Sequence, residues 1–177
     1  MHFSGNKPPI AVANKGMWMQ EDMQRASKFY GVTLKNSPKF PVNTMGPQGL
    51  LRLMTEKDPQ RVEAVTDIIF NANWNTHEDV QTPEQLKALV GGLYKGEEQK
   101  LDQLLAESQT KAYRTLLKEE AKALADDGAF GMPWMYVTRA QDGKTGKFFG
   151  SDRFEQIAAF LEVPYKGARG DGTIAKL

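Results

Sequence analysis

Two short stretches of the chain place groups where they could bind a small ligand. The first is GAFGMP, which ends at Met132 and Pro133 and leads directly into an aromatic, β-branched segment. Proline has no N–H for a sheet ladder and restricts the residue before it, so the backbone at Met132 is expected to serve another purpose. On these residues alone, a helix cap followed by a turn is the open alternative.

The second stretch is FGSDRFE, from Phe149 to Glu155. It predicts that Ser151 and Asp152 lie at the start of a helix, where free backbone N–H groups and the positive end of the helix dipole favour a carboxylate. The chemistry expected here is recognition of an acidic group on a ligand. Simple capping of that helix by Ser151 or Asp152 is the alternative, and one N–H can cap while another binds.

The composition removes several other kinds of chemistry. The 177 residues include no cysteine, so disulfides, thiolate zinc sites and a catalytic thiol are excluded. The two histidines, His2 and His77, lie far apart in sequence, and His77 stands in a polar linker, so we expect no metal site. No GxSxG motif indicates a nucleophilic serine.

Charge and hydropathy narrow the range of partners. The 23 Lys and Arg residues nearly balance the 22 Asp and Glu residues, so the net charge is only +1. Such a chain lacks the excess of positive charge that is typical of proteins that bind nucleic acid or an anionic membrane. No apolar run approaches the roughly 20 residues of a membrane span, and the N-terminus lacks a secretory signal pattern. We therefore expect a soluble intracellular protein with no nucleic-acid or membrane partner.

The elements that must position the two stretches are mostly helical. From Gln20 to Asp127 the chain reads as a series of helices, of which the first ends at Gly31. The sequence TPEQ at 82–85 has a capping-box pattern and defines one helix start. After Gly128 the period changes, and PWMYVTR and FFGS, separated by an Asp-Gly turn signal, predict a β-hairpin followed by a closing helix.

Four motifs together carry a resemblance to a known family. They are SGNKPP at 4–9, KGMWM at 15–19, GAFGMP at 128–133 and FGSDRFE at 149–155. Their order and spacing closely resemble those of kappa-class glutathione transferases, which are similar to the DsbA-like oxidoreductases. The resemblance implies an α/β chain with a thioredoxin-like fold and a large all-helical insertion, and the hairpin and closing helix would form the second half of that fold.

The resemblance also implies a domain organisation. Residues 1–16 would be a residual glutathione-site segment of the thioredoxin-like domain, 17–115 the helical insertion, 116–163 the C-terminal half of the thioredoxin-like domain, and 164–177 a flexible tail. The first β-α-β unit of the family, which bears its catalytic serine, has no counterpart ahead of SGNKPP. We therefore expect an N-terminally truncated chain in which no residue is assigned a catalytic role.

Glutathione is the implied co-substrate, with no metal. In such folds the bond before the proline is cis, and Met132 would pair with glutathione like an added strand. Ser151 would hold the γ-glutamyl carboxylate, Asp152 the α-amino group and Lys15 the glycine carboxylate. The full set of implied glutathione-binding residues is Asn6, Lys15, Met132, Pro133, Gly150, Ser151 and Asp152.

The implied activity uses the thiolate of glutathione on an electrophile or a hydroperoxide. Candidates to line the apolar substrate pocket are Met17, Trp18, Phe40 and Trp134. A homodimer is expected. Two alternatives stay open, namely a glutathione-dependent 2-hydroxychromene-2-carboxylate isomerase and a non-catalytic thioredoxin-fold fragment that binds or dimerises.

The C-terminus suggests a location in the cell. Ala175, Lys176 and Leu177 differ from the peroxisomal address SKL by one small residue, and such an address works only at the extreme C-terminus. We expect the protein in peroxisomes, with mitochondria as the alternative.

Overall fold

The computed structural model of the chain describes residues 3–8, 11–35 and 37–167. The predicted peroxisomal signal, Ala175 to Leu177, lies outside these residues. The chain divides into two compact units, one formed by Met1–Val32 with Ala121–Leu177 and the other by Thr33–Glu120. The domain boundaries expected after residues 16 and 115 stay predictions.

Seven α-helices and one hairpin make up the described elements. They are α1 (Ala13–Tyr30), α2 (Met45–Lys57), α3 (Val62–Asn71), α4 (Pro83–Val90), α5 (Glu98–Ser108), α6 (Lys111–Asp126), β1 (Trp134–Thr138), β2 (Thr145–Phe149) and α7 (Phe154–Leu161). Short 3-10 turns at Pro59–Arg61 and Gly91–Tyr94 and a π-helical turn at Ala72–Thr76 extend the helices. No helix in the described part of the chain combines the length and apolar character needed to cross a membrane.

Local sequence signals explain several helix ends. Gly31 adopts a left-handed conformation with φ of 67° after α1, as the sequence predicted. The capping box at the start of α4 is confirmed, because the N–H of Gln85 donates to the Thr82 hydroxyl and the Gln85 side chain accepts the N–H of Thr82. These contacts satisfy backbone donors that a helix start otherwise leaves unpaired.

The core of the Thr33–Glu120 unit is built from apolar helix faces. From α2, the side chains of Leu50, Leu53 and Met54 are at most 1% exposed. Burial of each such side chain contributes about 1.5–3 kcal/mol, so this cluster supplies much of the unit's stability. The buried members of the cluster are Leu50, Leu53, Met54, Val65, Ile69, Ala72, Val80, Leu86, Val90, Tyr94, Leu101, Leu104, Leu105 and Tyr113.

A carboxylate is buried beside this core. Asp58 follows α2 and is 0% exposed. The hydroxyl of Tyr94 donates to it at 2.8 Å, and the ammonium group of Lys100 lies 2.8 Å away. Burial opposes ionisation, but the hydrogen bonds from Lys100, Tyr94 and Arg61 outweigh it and hold the pKa of the Asp58 carboxyl below its usual value. The charge is therefore compensated where it is buried.

The other unit contains the hairpin predicted from the sequence. Strands β1 and β2 are antiparallel, in a register that pairs Trp134 with Phe149 and Thr138 with Thr145. The ring of Phe148 on β2 lies 5.6 Å, centroid to centroid, from Phe160 on α7. One face of the hairpin thus packs against the closing helix.

The start of α7 differs from the prediction. Ser151 and Asp152 were expected to cap this helix, but it begins at Phe154, and Arg153 occupies the capping position with no side-chain capping bond. Asp152 directly precedes Arg153 and Ser151 precedes Asp152, so both lie in the turn that connects β2 to this helix. The preference of serine and aspartate for helix starts is weak enough for a tight turn after the strand to override it.

Candidate ligand-binding site

The backbone at Met132 is open to a ligand. The Met132–Pro133 peptide bond is cis, as the resemblance implied, and the Pro133 carbonyl accepts the N–H of Gly150 at 3.0 Å. Met132 is 70% exposed, and in the described part of the chain neither its N–H nor its C=O has a backbone partner. Both groups can therefore pair with an extended ligand, as in the addition of a strand.

The same open edge continues along β1. Hydrogen bonds from Gly150 to Pro133 and from Arg139 to Lys144 flank the hairpin and fix which residues face β2. In an antiparallel ladder the alternate residues, Trp134 and Tyr136 among them, direct their backbone groups to the opposite side. Within the described residues no strand pairs with that side, so Met132 stands at the start of an unpaired edge.

Gly131 is needed because of an aromatic ring. A Cβ atom at this position would lie 2.6 Å from Cε2 of Phe149, closer than atoms in contact allow. The Phe149 ring also packs on Phe130, with centroids 4.5 Å apart. The space beside Gly131 is thus taken by the Phe149 ring, which sets the position of the loop before Met132.

Asn6 anchors this loop from the N-terminal segment. Its side-chain Nδ2 donates to the carbonyl oxygen of Phe130 at 2.8 Å, and its Oδ1 accepts the N–H of Lys7 at 2.8 Å. An asparagine side chain has one further donor hydrogen, so Asn6 can still reach a ligand. Its observed contacts position the two chain segments that it joins.

A second anchor, absent from the sequence analysis, lies at the start of the loop. The carboxylate of Asp127 accepts a hydrogen bond from the Tyr136 hydroxyl at 2.6 Å and pairs with Lys147 at 2.7 Å. Hydrogen bonding from Lys147 and then from Tyr136 holds the pKa of the Asp127 carboxyl below its usual value. Tyr136 and Lys147 are cross-strand neighbours, so this cluster ties the end of α6 to the hairpin.

A cavity of about 770 Å³ opens beside this loop, with every lining residue in one unit. Its lining includes three of the seven expected site residues, Asn6, Lys15 and Met132. The walls come from the N-terminal segment, the start of α1, the end of α6 and the loop before β1. The lining residues are Phe3, Ser4, Gly5, Asn6, Lys7, Pro8, Val12, Lys15, Ala121, Leu124, Ala125, Ala129, Phe130, Gly131, Met132 and Phe149.

The four apolar residues expected to line a substrate pocket lie elsewhere. Met17 and Trp18 are 66% and 58% exposed on α1, and neither lines the cavity. Phe40 lies 6.2 Å, centroid to centroid, from Trp74 in the Thr33–Glu120 unit. Trp134 packs edge-on to Phe130 at 5.6 Å, also outside the lining. Helical spacing alone does not reveal which apolar residues a fold leaves at a cavity.

The connection from β2 to α7 holds the other expected site residues. Gly150 has φ of 100°, and a Cβ there would lie 2.5 Å from a carboxylate oxygen of Asp152, so only glycine fits. The Asp152 carboxylate pairs with the guanidinium of Arg153 at 2.5 Å. Gly150, Ser151 and Asp152 follow Phe149, the residue by which β2 reaches the cavity.

The described residues around the cavity include no cluster of metal-binding side chains. Among the described residues no group of three or more His, Cys, Asp or Glu side chains is arranged to hold a metal ion. The polar groups around the cavity are lysine, asparagine, serine and backbone groups, which suit an organic acid or a peptide.

Comparisons with known proteins identify the family of this chain. The family described as DSBA-like thioredoxin domain matches residues 1–162. The protein named glutathione S-transferase kappa 1 of Caenorhabditis elegans is 30% identical over 173 residues, which cover 93% of this chain and 73% of the relative. The protein of the same name in Homo sapiens is 30% identical over 174 residues, covering 94% and 75%.

A third relative extends the pattern. Glutathione S-transferase kappa 1 of Rattus norvegicus is 27% identical over 175 residues, which cover 94% of this chain and 75% of the relative. The chain therefore belongs to the DSBA-like thioredoxin domain family and, within it, to the kappa-class glutathione S-transferases. The family and the thioredoxin-like fold class inferred from the four motifs are confirmed, while the expected lack of the first β-α-β unit stays a prediction.

Proposed function

We propose that this protein binds glutathione as co-substrate and joins it through its sulfur to small electrophiles or uses it to reduce hydroperoxides. The observation that carries the proposal is the unpaired backbone of Met132 beside a cavity that Asn6 and Lys15 also line. Glutathione is a short peptide, so it can add to this edge through backbone hydrogen bonds. The membership of this chain in the kappa class supports the same co-substrate.

The two ends of glutathione would meet different groups. Lys15, in the first turn of α1, offers its ammonium group to the glycine carboxylate. Ser151 and Asp152, beyond β2, offer a hydroxyl and a carboxylate to the γ-glutamyl end. Because Asp152 already pairs with Arg153, the α-amino group of the ligand would share or replace that partner. Pro133 and Gly150 shape the backbone between the two ends.

Bound glutathione supplies the sulfur. After its thiol has lost a proton to solvent, the thiolate forms a C–S bond with an aryl halide as the halide leaves. In the second reaction, two glutathione thiols reduce a hydroperoxide to an alcohol and water and form glutathione disulfide. The residues of this chain orient the peptide and keep its charged ends in place. No residue is assigned to activate the thiol.

Calorimetric titration of the full chain with glutathione tests the proposal. We expect binding, and we expect Lys15→Gln to weaken it by about tenfold through loss of one charge-assisted contact. Lys28→Gln, at an exposed position about 20 Å further along α1 than Lys15, is the matched control and should leave affinity unchanged. Absence of glutathione binding in the full chain would refute the proposal.

We also propose a homodimer. Helix α1 has 18 residues and not one of them is buried, although it carries Met17, Trp18 and Tyr30. Apolar side chains left at the surface favour association with another copy. Sedimentation equilibrium should give twice the chain mass, and Trp18→Glu should shift the species to the monomer. A monomer at micromolar concentration would contradict this.

For localisation we propose peroxisomal import through Ala175, Lys176 and Leu177. A fluorescent protein fused ahead of the chain should appear in peroxisomes, and removal of Leu177 should release it to the cytosol. Mitochondrial fluorescence that is insensitive to this deletion would favour the alternative location.

A further inference from the structure

The wall of the cavity carries an uneven distribution of charge. Lys7 and Lys15 line it, and no aspartate or glutamate is among its described lining residues. In the described part of the chain neither lysine forms an ion pair, whereas Lys147 on the hairpin is paired with Asp127 at 2.7 Å. Uncompensated positive charge on a concave surface attracts anions.

The remainder of the lining is largely apolar. Leu124 and Ala125 come from the end of α6, and Phe130 and Phe149 follow from the loop and β2. The two phenylalanine rings are 47% and 37% exposed and pack on each other. An apolar ligand that covers them would remove this surface from water, which favours its binding.

From this combination we infer that the cavity binds a small amphiphile with an apolar body and an anionic head, and that Lys7 is the residue that selects the negative charge. Lys15 is the partner proposed for glutathione, which leaves Lys7 for a second anion. The volume of about 770 Å³ lies within the range of sites for organic ligands, about 300–1,000 Å³. The identity of this amphiphile as the second substrate rests on the proposed function, whereas its binding does not.

Three eight-carbon probes with different head groups separate charge from hydrophobicity. Calorimetric titration of the full chain with octanoate, octan-1-ol and octylammonium should give the tightest binding for octanoate and the weakest for octylammonium. Lys7→Gln should weaken octanoate binding by about fivefold, the change expected from loss of one partly exposed ion pair, and leave octan-1-ol binding unchanged. Lys28→Gln makes the same change in net charge at an exposed residue that does not line the cavity, and it should alter neither.

The alcohol also reports whether each variant is folded. A Lys7→Gln protein that no longer binds octan-1-ol has lost the cavity. In that case the comparison of the three probes on the unaltered chain decides whether the cavity prefers an anion. Lys7→Arg is expected to keep the preference for octanoate. Equal affinity for octanoate and octan-1-ol, or equal effects of Lys7→Gln and Lys28→Gln, would overturn the inference.

A separate glutathione titration distinguishes this inference from the proposed function. Binding of octanoate without binding of glutathione would refute the transferase proposal and leave the amphiphile site in place. Binding of glutathione without preference for octanoate over octan-1-ol would support the transferase proposal and refute the amphiphile site.

Discussion

The side-chain amide of Asn6 donates a hydrogen bond to the carbonyl oxygen of Phe130, 2.8 Å away and 124 positions later in the chain. This contact joins the N-terminal segment to the loop that ends at the cis bond of Met132. Both segments line the same cavity, so the bond fixes two of its walls relative to each other. Asn6 therefore acts on a ligand at Met132 by positioning its backbone.

The first prediction concerns this contact. Asn6→Ala removes the donor, and because the site is exposed we expect a loss of only about 0.5–1.5 kcal/mol in the free energy of unfolding. The affinity for glutathione should fall by more than that stability loss explains, since the loop before Met132 loses its anchor.

Thermal unfolding and calorimetric titration of the same samples measure the two effects. Asn14→Ala, at an exposed position of α1, is the control and should change neither. An Asn6→Ala protein with unaltered glutathione affinity would show that the contact has no part in binding.

The second prediction concerns Gly131. An alanine Cβ would come within 2.6 Å of the Phe149 ring, so either the ring or the loop must move. We expect Gly131→Ala to destabilise the protein by about 1–3 kcal/mol, as overpacking does, and to weaken glutathione binding. Replacement of Phe149 by leucine in the same chain should recover part of the loss, because it removes the ring atoms in conflict.

A glycine elsewhere provides the control. A Cβ at Gly91 meets nothing within 4 Å, and its φ of −57° suits any residue. Gly91→Ala should therefore leave stability unchanged or raise it by up to about 1 kcal/mol through the unfolded state. Denaturant unfolding of the single and double variants measures these differences, and equal stability of the Gly91 and Gly131 variants would disprove the steric argument.

Features set by neighbouring residues could be predicted from the sequence. The capping box from Thr82 to Gln85, the left-handed Gly31 and the hairpin after Gly128 each depend on a few adjacent positions. The start of α7 could not be predicted in the same way, because Ser151 was a valid cap by type but the turn from β2 holds it before the helix.

In the candidate site too, some features could be predicted from neighbouring residues and others could not. The proline ahead of a strand drew attention to Met132 and Pro133, but their assignment to glutathione needed the resemblance carried by all four motifs. The contact between Asn6 and Phe130 and the approach of Phe149 to Gly131 depend on tertiary packing of segments far apart in sequence, for which one sequence carries no signal. The resemblance named Asn6 as a ligand neighbour, and the structure adds the carbonyl that it holds.

The third prediction concerns the cluster at the end of α6. Removal of the ammonium group in Lys147→Met should raise the pKa of the Asp127 carboxyl toward its ordinary value, because Lys147 is the main cause of its depression. An NMR pH titration of the Asp127 carboxyl carbon measures this shift. Lys144→Met, which removes a cation paired with Asp142 instead, should leave Asp127 unaffected. Equal titration curves for the two variants would contradict the assignment.

The fourth prediction concerns the buried carboxylate of Asp58. Asp58→Asn removes the buried carboxylate that Lys100 and Arg61 share, although both keep their ion pairs with Glu97. It also converts the acceptor of the Tyr94 hydroxyl into a neutral amide. Breaking a buried ion pair is costly, but Lys100 and Arg61 are partly exposed and can be hydrated. We therefore expect the free energy of unfolding to fall by about 2–4 kcal/mol. The exposed pair of Lys57 and Glu107 offers the control, and Glu107→Gln should cost at most about 1 kcal/mol.

The pH dependence of stability provides a second measurement on the same residue. The pKa of Asp58 is lower in the folded protein than in the unfolded chain, so the unfolded state takes up a proton first as the pH falls. The stabilisation is complete above the unfolded pKa of about 3.9 and is lost as the pH falls through the folded pKa. The difference in unfolding free energy between the parent chain and Asp58→Asn should therefore be constant near neutral pH and shrink below about pH 4. A difference that does not change down to pH 2 would mean that folding leaves the pKa of Asp58 unchanged, and it would refute the stabilisation assigned to its charge.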